Sequence, residues 1–554
     1  MNEIKTDILI IGSGAAGLTA GVYAAQLHKK VLVIDKGAVG KSGSTVGAVQ
    51  MAGLGEWSNP LDDERAYMRD IENSGRGLSD PALAKTLVND ISKRIEDLTS
   101  WGLKLDRDKS DQAAVYPTAG HSLPRSISAR KGKTGLGILQ TLIRKAKTLS
   151  ENLHTWSDVI TLDLVKSSTR VIGAVVFDLK KNKPYVIKAK AVILATGGIG
   201  QLYPTTSNPV QSTGDGYSLG LGAGASLIDM EQVQFYPVSL VTPRSVAGLC
   251  ISFYHYSNLY NTFGERFMET YEPETLENTT RDKLSIAIAS EVVAGRGSDH
   301  GGVWLDISSQ LEKVKKEFLH EFNICMDRGI DLTHGYAEVG PAAHFMMGGV
   351  HIDVNTASSV PGLYVAGETA GGLHGGNRLG NNALTECLVF GAKAGINAAW
   401  ESNNYEDQST VTAEALSPFA TKLLDTMSRS VSGSVKSYQI KQRIQEILGT
   451  HVAVLRTDEG LKQAAKQLEA VDDLLDQVEM STEVNYSREL IDYVEGAHML
   501  RTAKAIVGAA LHRKESRGAH FNSDHPSPAS NIYHTFVTKE NEQVVIHTSP
   551  KGEK

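Results

Sequence analysis

Residues 6 to 35 read TDILIIGSGAAGLTAGVYAAQLHKKVLVID. The β-branched run TDILII predicts a strand, the small and apolar residues of LTAGVYAAQL predict a helix packed on a sheet, and VLVID at 31 to 35 predicts the next strand. Between them Gly12, Gly14 and Gly17 stand in GxGxxG spacing, and Asp35 closes the second strand 21 residues after Gly14. This is the βαβ unit of a dinucleotide-binding fold. Its glycines allow a tight turn, admit a pyrophosphate to the helix N-terminus and bring helix and strand together, while the acid accepts from a ribose hydroxyl. Ser13, Ala15 and Ala16 in the turn and Lys36 after the acid join them as candidate dinucleotide contacts.

Working outward, YVIKAKAVILATGGIG places a second strand, AVILA, before Thr196, Gly197 and Gly198, and GLYVAGETAGG at 362 to 372 repeats the strand-then-glycine pattern with Glu368. The pattern predicts an α/β fold with a discontinuous Rossmann-type domain at 1–235 and 345–411, and an inserted α+β capping domain at 236–344. Helical periodicity with frequent Glu, Lys and Gln predicts a helical domain at 412–515, and the polar, proline-bearing end predicts an extended tail at 516–554.

The chain has 554 residues, so a single small binding module is excluded. Its 56 basic and 63 acidic residues give a net charge of −7, which leaves no broad basic excess for nucleic acid. The three cysteines, Cys250, Cys325 and Cys387, are too far apart for an iron–sulfur or metal framework, so no metal site is expected. With neither a signal-peptide pattern nor 18 consecutive apolar residues, the expectation is a cytoplasmic protein that does not span a membrane. Glycine, at 53 residues, suits a backbone that approaches a large ligand closely.

The segments GSGAAGL, ATGGIG, TGDGYSLGLGAGA, LDIS, GPAAHFMMGGV, LYVAGETAGGLHGGNRLGNNAL and RKESRGAHF, in this order, resemble the flavoprotein subunits of fumarate reductase and succinate dehydrogenase, and L-aspartate oxidase. The resemblance runs from residue 5 to about 521. It implies FAD as cofactor and hydride exchange between flavin N5 and a carbon next to a carboxylate. By the same resemblance Arg281 in TTRDKLS is the proton donor, and Arg378 with His344 clamps a substrate carboxylate. Glu368, Asp215 and the Asn382-Ala383-Leu384 turn match FAD contacts. Taken alone, Asp215 could equally be an acid at a helix start, His344 a core histidine and Arg378 a structural clasp.

Three departures qualify this picture. Where the family carries a histidine bonded covalently to FAD, the run here is Ser42-Gly43-Ser44-Thr45, so the implied flavin is noncovalent. The family's Gln-Phe-His-Pro is Gln234-Phe235-Tyr236-Pro237. The loop that holds the second carboxylate of fumarate becomes Leu249-Cys250-Ile251-Ser252-Phe253-Tyr254-His255-Tyr256-Ser257. Tyr236, Leu249, Cys250 and Phe253 cannot neutralise a buried carboxylate, whose desolvation costs several kcal/mol. His255 is the candidate for a rebuilt proton relay.

The expected function is therefore an FAD-dependent reductase of an α,β-unsaturated monocarboxylate with an apolar or aromatic far end. The alternatives are an L-aspartate oxidase, a true fumarate reductase, and an electron-transfer subunit of a larger complex. No haem or iron–sulfur motif is evident, so electrons are expected either from a separate iron–sulfur or flavin reductase partner or from a soluble reductant.

Overall fold

Strand Asn2–Ile11 lies between Val31–Asp35 and Lys183–Leu194, parallel to both, with Ile11 opposite Ile34 on one side and Leu194 on the other. The computed structural model describes every residue except 119, 406–415, 429–433, 479, 481–486, 541–542 and 553–554. Ile8 to Ile11 are buried, because a parallel sheet is covered on both faces and its strands must be apolar throughout. Leu153–Ser157 extends the sheet beyond Val31–Asp35. On the other flank Lys183–Leu194 serves two partners in succession: antiparallel Arg170–Asp178 along its first half, itself paired with Val159–Ser167, and parallel Leu363–Val365 at its end. The parallel strands thus end at one edge, near residues 11, 35, 194 and 365, where open α/β sheets bind ligands.

Two helices begin at that edge, Ala15–Gln26 and Asn382–Glu401. They pack closely because Gly391 and Gly395 have no side chain; a Cβ there would lie 2.6 Å from Ala16 O and 2.2 Å from Ala20 O. This contact fixes the spacing of the two helix N-termini.

The cap is a four-stranded antiparallel sheet in the order Val233–Leu240, Ala337–Met346, Val303–Asp306, Asn258–Tyr260, with helix Arg281–Val293 packed on it. It has its own core, which includes Val238, Phe253, Leu284, Ile288, Leu305 and Val339. The junctions expected at 235/236 and 344/345 fall inside its two long strands, which run unbroken out of the dinucleotide domain. The cap is therefore carried on paired strands rather than on loops.

Helices Pro418–Ser428, Ser437–His451, Asp458–Leu475 and Arg488–His512 form the helical region. The boundary expected at 411/412 lies outside the described residues. The final segment corrects the expectation of an extended tail. Tyr533–Glu540 and Gln543–Pro550 pair antiparallel, and the first pairs in turn with Leu227–Ile228 of the dinucleotide domain. The cause is electrostatic as well as apolar: the guanidinium of Arg513, fully buried, donates to Asp229, Glu231 and Glu515, while Thr535 donates to Glu231. Before the hairpin the chain crosses Gly376, whose carbonyl accepts from Ala519 N at 2.8 Å.

Candidate active site

At the sheet edge Gly12 has φ +103°, and a Cβ there would sit 2.2 Å from Ala195 O, so the turn admits no side chain. Gly17 allows the helix to rest on Gly12 O, which a Cβ would meet at 2.0 Å. By contrast, a Cβ on Gly14 would meet just Thr45 Oγ1, at 3.4 Å, and those on Gly43 and Gly197 would meet nothing within 4 Å. These residues border open space. Helix Ala15–Gln26 has no side-chain cap, and Ala15 N donates to Thr45 Oγ1 at 3.2 Å.

Asn381, at φ +60°, starts the second helix, again without a side-chain cap. Asn382 is fully buried; its Oδ1 accepts from Tyr67 at 2.7 Å while its Nδ2 has no partner. Two uncapped helix N-termini, an open glycine floor and an orphaned amide together fit a dinucleotide with a hydrogen-bonding ring at its far end. Ala383 and Leu384 lie in the first turn of that helix, Ser44 and Thr45 begin a 3₁₀ turn whose Thr45 hydroxyl lies beside Gly14, and Ser42 donates to Asp35. Thr196 Oγ1 meets Thr369 Oγ1 at 3.0 Å, bracing the turn from the opposite side.

Three expected cofactor contacts also bond within the protein. Asp35 accepts from Ser13 N at 2.9 Å, Ser13 Oγ at 2.6 Å, Gly37 N at 2.8 Å and Ser42 Oγ at 3.3 Å. Through these four donors the carboxylate ties together the loops around the floor, and it remains partly exposed. Lys36 and Asp215 pair at 2.8 Å, and Lys36 also reaches Glu495 at 2.8 Å. Lys441 continues this buried network to Glu495 and Asp492, joining the dinucleotide domain to the helical one. Burial alone would discharge Lys36, but Asp215 and Glu495 more than offset it and raise its pKa.

The other candidates converge beneath the cap. Alternation along Val233–Leu240 sends Phe235 into the core against Tyr203, and Gln234 and Tyr236 to the opposite side. Gln234 Oε1 accepts from Arg378 at 3.1 Å, and Arg378 lies over the Phe345 ring at 4.5 Å with its Nε unpartnered. The Tyr236 ring lies 4.8 Å from the Arg281 guanidinium and 5.4 Å from the His344 ring. Ser207 Oγ meets His344 Nδ1 at 2.8 Å, and a hydroxyl donating there leaves the imidazole proton on Nε2.

Burial, then Arg378 and Arg281, hold the His344 pKa well below the usual range, so the ring is neutral. Burial and Arg281 push Arg378 down to about 10. Neither guanidinium has an ion-pair partner among the described residues. Glu368 accepts from Met346 N at 3.0 Å, and burial lifts its carboxyl to about 7. Two buried guanidiniums and a neutral imidazole thus lie near one another, with Glu368 and Glu386 acting on Arg378 without pairing with it.

The loop after the first cap strand corrects the expected lining. Ser252–Tyr256 is a short 3₁₀ turn, in which residues three apart eclipse, so Phe253 and Tyr256 both pack on Phe318, at 6.1 and 5.9 Å. Leu249 packs with the cap core. Cys250 stays beside Tyr236 and Ser239, and Tyr254, which no motif singles out, stands edge-on to Tyr236 with ring centroids 6.1 Å apart. His255 is exposed, bonds Asn278 Oδ1 at 3.2 Å and lies against the Tyr254 ring. Gln234 and Ser207, the partners of Arg378 and His344, were also missed; the QFYP run carried a signal for the first, and nothing local carried one for the second.

Comparison with known proteins places this arrangement. A family model described as an FAD binding domain matches residues 7–384, and one described as the fumarate reductase flavoprotein C-terminus matches 441–551. The chain belongs to the fumarate reductase/L-aspartate oxidase family of FAD-dependent oxidoreductases. It is 34% identical to a fumarate reductase (CoM/CoB) subunit of Methanothermobacter marburgensis, over 94% of this chain and 95% of that one. It is 31% identical to L-aspartate oxidase 1 of Ralstonia nicotianae, over 94% of this chain and 95% of that one. Among solved structures, Mycobacterium smegmatis Sdh1 in complex with UQ1 aligns with a TM-score of 0.92 at 29% identity, covering 100% of this chain and 95% of that one. FAD is the cofactor of this member as of its family, and the open floor and orphaned amide described above fit it. Among the described residues no helix is long and apolar enough to cross a membrane.

Proposed function

We propose that this member reduces the C=C bond of an α,β-unsaturated monocarboxylate whose far end is apolar or aromatic. The observation that carries the reading is the charge balance beneath the cap. Arg281 and Arg378 bring two positive charges with no paired carboxylate, while Tyr236, Cys250 and Tyr254 on the other side bring none. An enoate enters with one negative charge and acquires a second as its double bond is reduced. Two guanidiniums therefore neutralise the transition state more fully than the ground state, which is the condition for catalysis. Fumarate would begin with two charges and leave its second carboxylate against phenol and thiol.

In this reading Arg378 and His344 Nε2 hold the substrate carboxylate, and Arg281 gives a proton to the carbon beside it. The Tyr236 ring sets the far wall and excludes water. Bound FAD supplies the hydride chemistry, held without a covalent bond because Ser44 offers no imidazole. Arg281 as the acid rests on the family's pattern, since an isolated guanidinium has a pKa above about 12. Electrons come from a separate protein, a reading supported by the Methanothermobacter relative being named as one subunit of a reductase. An L-aspartate oxidase reading draws support from the Ralstonia relative, but aspartate carries a second carboxylate that meets the same uncharged wall.

The test is re-oxidation of the dithionite-reduced protein by cinnamate, crotonate, acrylate and fumarate, followed by flavin absorbance. The expected kcat/KM for the best monoacid exceeds that for fumarate at least about tenfold, since about 1.4 kcal/mol of desolvation mismatch gives that factor. Fumarate as the fastest substrate would overturn the reading.

A further inference from the structure

Helix Glu64–Ser74 runs out into Gly75-Arg76-Gly77, and Arg76 takes the left-handed conformation, φ +53°, at the position after the cap where glycine is the usual residue. A side chain thus stands where backbone conformation favours none. Its guanidinium crosses to the cap: Nη2 donates to Asp282 Oδ2 at 3.0 Å, while the buried Asp282 Oδ1 has no hydrogen-bond partner. Asp282 is the second residue of helix Arg281–Val293, so this ion pair grips the helix one residue from Arg281. The same stretch holds the loop of the other guanidinium. Ser74 Oγ donates to Asn377 O at 2.9 Å and Gly376 N donates to Gly75 O at 2.8 Å, both just before Arg378. Arg76 O accepts from Arg517 Nη1 at 3.1 Å, which fixes the stretch from a third side. Arg281 belongs to the cap and Arg378 to the dinucleotide domain, and residues 74–76 hydrogen-bond to the segments that carry both.

We propose that Arg76 is a positioning residue for Arg281: by holding Asp282 it sets where Arg281 stands relative to Arg378, and so relative to the carbon that Arg281 protonates. This inference rests on the role given to Arg281 in the proposed enoate reduction. A merely structural pair would behave differently. The Arg76 side chain is 41% exposed and that of Asp282 13%, and pairs so open to water add little to stability. Breaking a merely structural pair of this kind leaves both folding and rate nearly unchanged. Breaking a positioning pair slows the proton step and spares carboxylate binding, which belongs to Arg378 and His344.

Arg76→Gln and Asp282→Asn each remove the pair. The acid used is whichever of cinnamate, crotonate, acrylate and fumarate re-oxidises the dithionite-reduced wild type fastest. With it, each variant is expected to slow the first re-oxidation about 10-fold to 10²-fold, the usual result of a displacement near 1 Å. The solvent deuterium isotope effect on that rate should rise, because protonation becomes the slower event. The Kd of the saturated acid should stay within about twofold and the melting temperature within about 2 °C of wild type. The double variant should be no slower than either single one, since both remove the same contact. Arg76→Lys, which keeps a charge for what is a single N–O contact, should recover most of the rate. If Arg76→Gln does not hold FAD, Asp282→Asn carries the test, and loss of FAD from both would assign the pair to folding and overturn the proposal. A wild-type rate in the variants, an unmoved isotope effect, additive losses in the double variant, or a Kd weakened as much as the rate falls would overturn it as well. Fumarate as the fastest acid would overturn the reading of the far end and leave the test of Arg76 standing. A wild type inert to all four acids would overturn the enoate reading together with the step that Arg76 serves.

Discussion

Replacing Arg378 by Met removes the charge while keeping much of the side-chain volume, and it separates an anion clamp from a structural clasp. In the protein Arg378 is 6% exposed, touches the face of Phe345, donates once to Gln234 and leaves Nε without a partner. Depression of its pKa from 12.5 to about 10, through burial and then Arg281, corresponds to about 3 kcal/mol held against the fold. The sign follows from the direction: the unfolded chain binds this proton more tightly, so the penalty is fully present at neutral pH and disappears only as pH rises through about 10 and beyond. Arg378→Met relieves that penalty and gives up a cation–π contact and a hydrogen bond, together about 2 to 3 kcal/mol. The two nearly cancel. The melting temperature should therefore stay within about 2 °C of wild type. What disappears is the response to ligand: cinnamate or its saturated analogue should raise the melting temperature of the wild type and leave that of Arg378→Met unchanged. Turnover should also fall, because two charge-assisted hydrogen bonds at about 1.5 to 3 kcal/mol each amount to a loss of about 10² to 10⁴ in kcat/KM. A fall of more than about 5 °C with the ligand response intact would show that Arg378 holds the fold together and not the substrate.

Acid precipitation should release the FAD into the supernatant, since Ser44 cannot form the covalent bond; flavin fluorescence remaining on the denatured band would refute this. Arg281→Lys keeps the charge but loses the planar fork, so turnover should fall at least about 10²-fold while the flavin spectrum is unchanged. Turnover near wild type would remove Arg281 from the mechanism. Glu368, lifted by burial from 4.5 to about 7, keeps its proton in the fold where the unfolded chain releases it, so its stabilising contribution is present below about pH 4.5 and lost as pH rises to about 7. Melting curves across that range should flatten in Glu368→Gln, and an unchanged slope would assign the dependence to other groups.

The first 35 residues and the strands before Gly197 and Glu368 were legible because period, glycine spacing and a terminal acid all bear on neighbouring residues. Arg281, His344 and Arg378 were legible from the runs around them, although 97 positions separate the first from the last. What failed was direction. Lys36 and Asp215 stand beside cofactor motifs, yet Glu495, far along the chain, recruits them into a network. Phe253 and Tyr254 are adjacent aromatics of the cap core, and the 3₁₀ turn decides that the first packs on Phe318 while the second packs on Tyr236. The hairpin after residue 532 escaped notice because its strands are half-exposed and polar, and their pairing partner is the two-residue strand Leu227–Ile228.

The crossing of Gly376 by Ala519 bears on how the protein is made. The loop that presents Arg378 is closed by backbone that leaves the ribosome more than 140 residues later, and the acids at 229 and 231 wait still longer for Thr535 to complete their bonding. The dinucleotide domain can form its parallel sheet early in synthesis, since domains generally fold as units from the N-terminal end. The backbone bond that closes the loop presenting Arg378 cannot form until Ala519 has been made. A chain interrupted before Ala519 thus keeps the strands of the flavin floor and lacks the bond that closes the loop presenting Arg378.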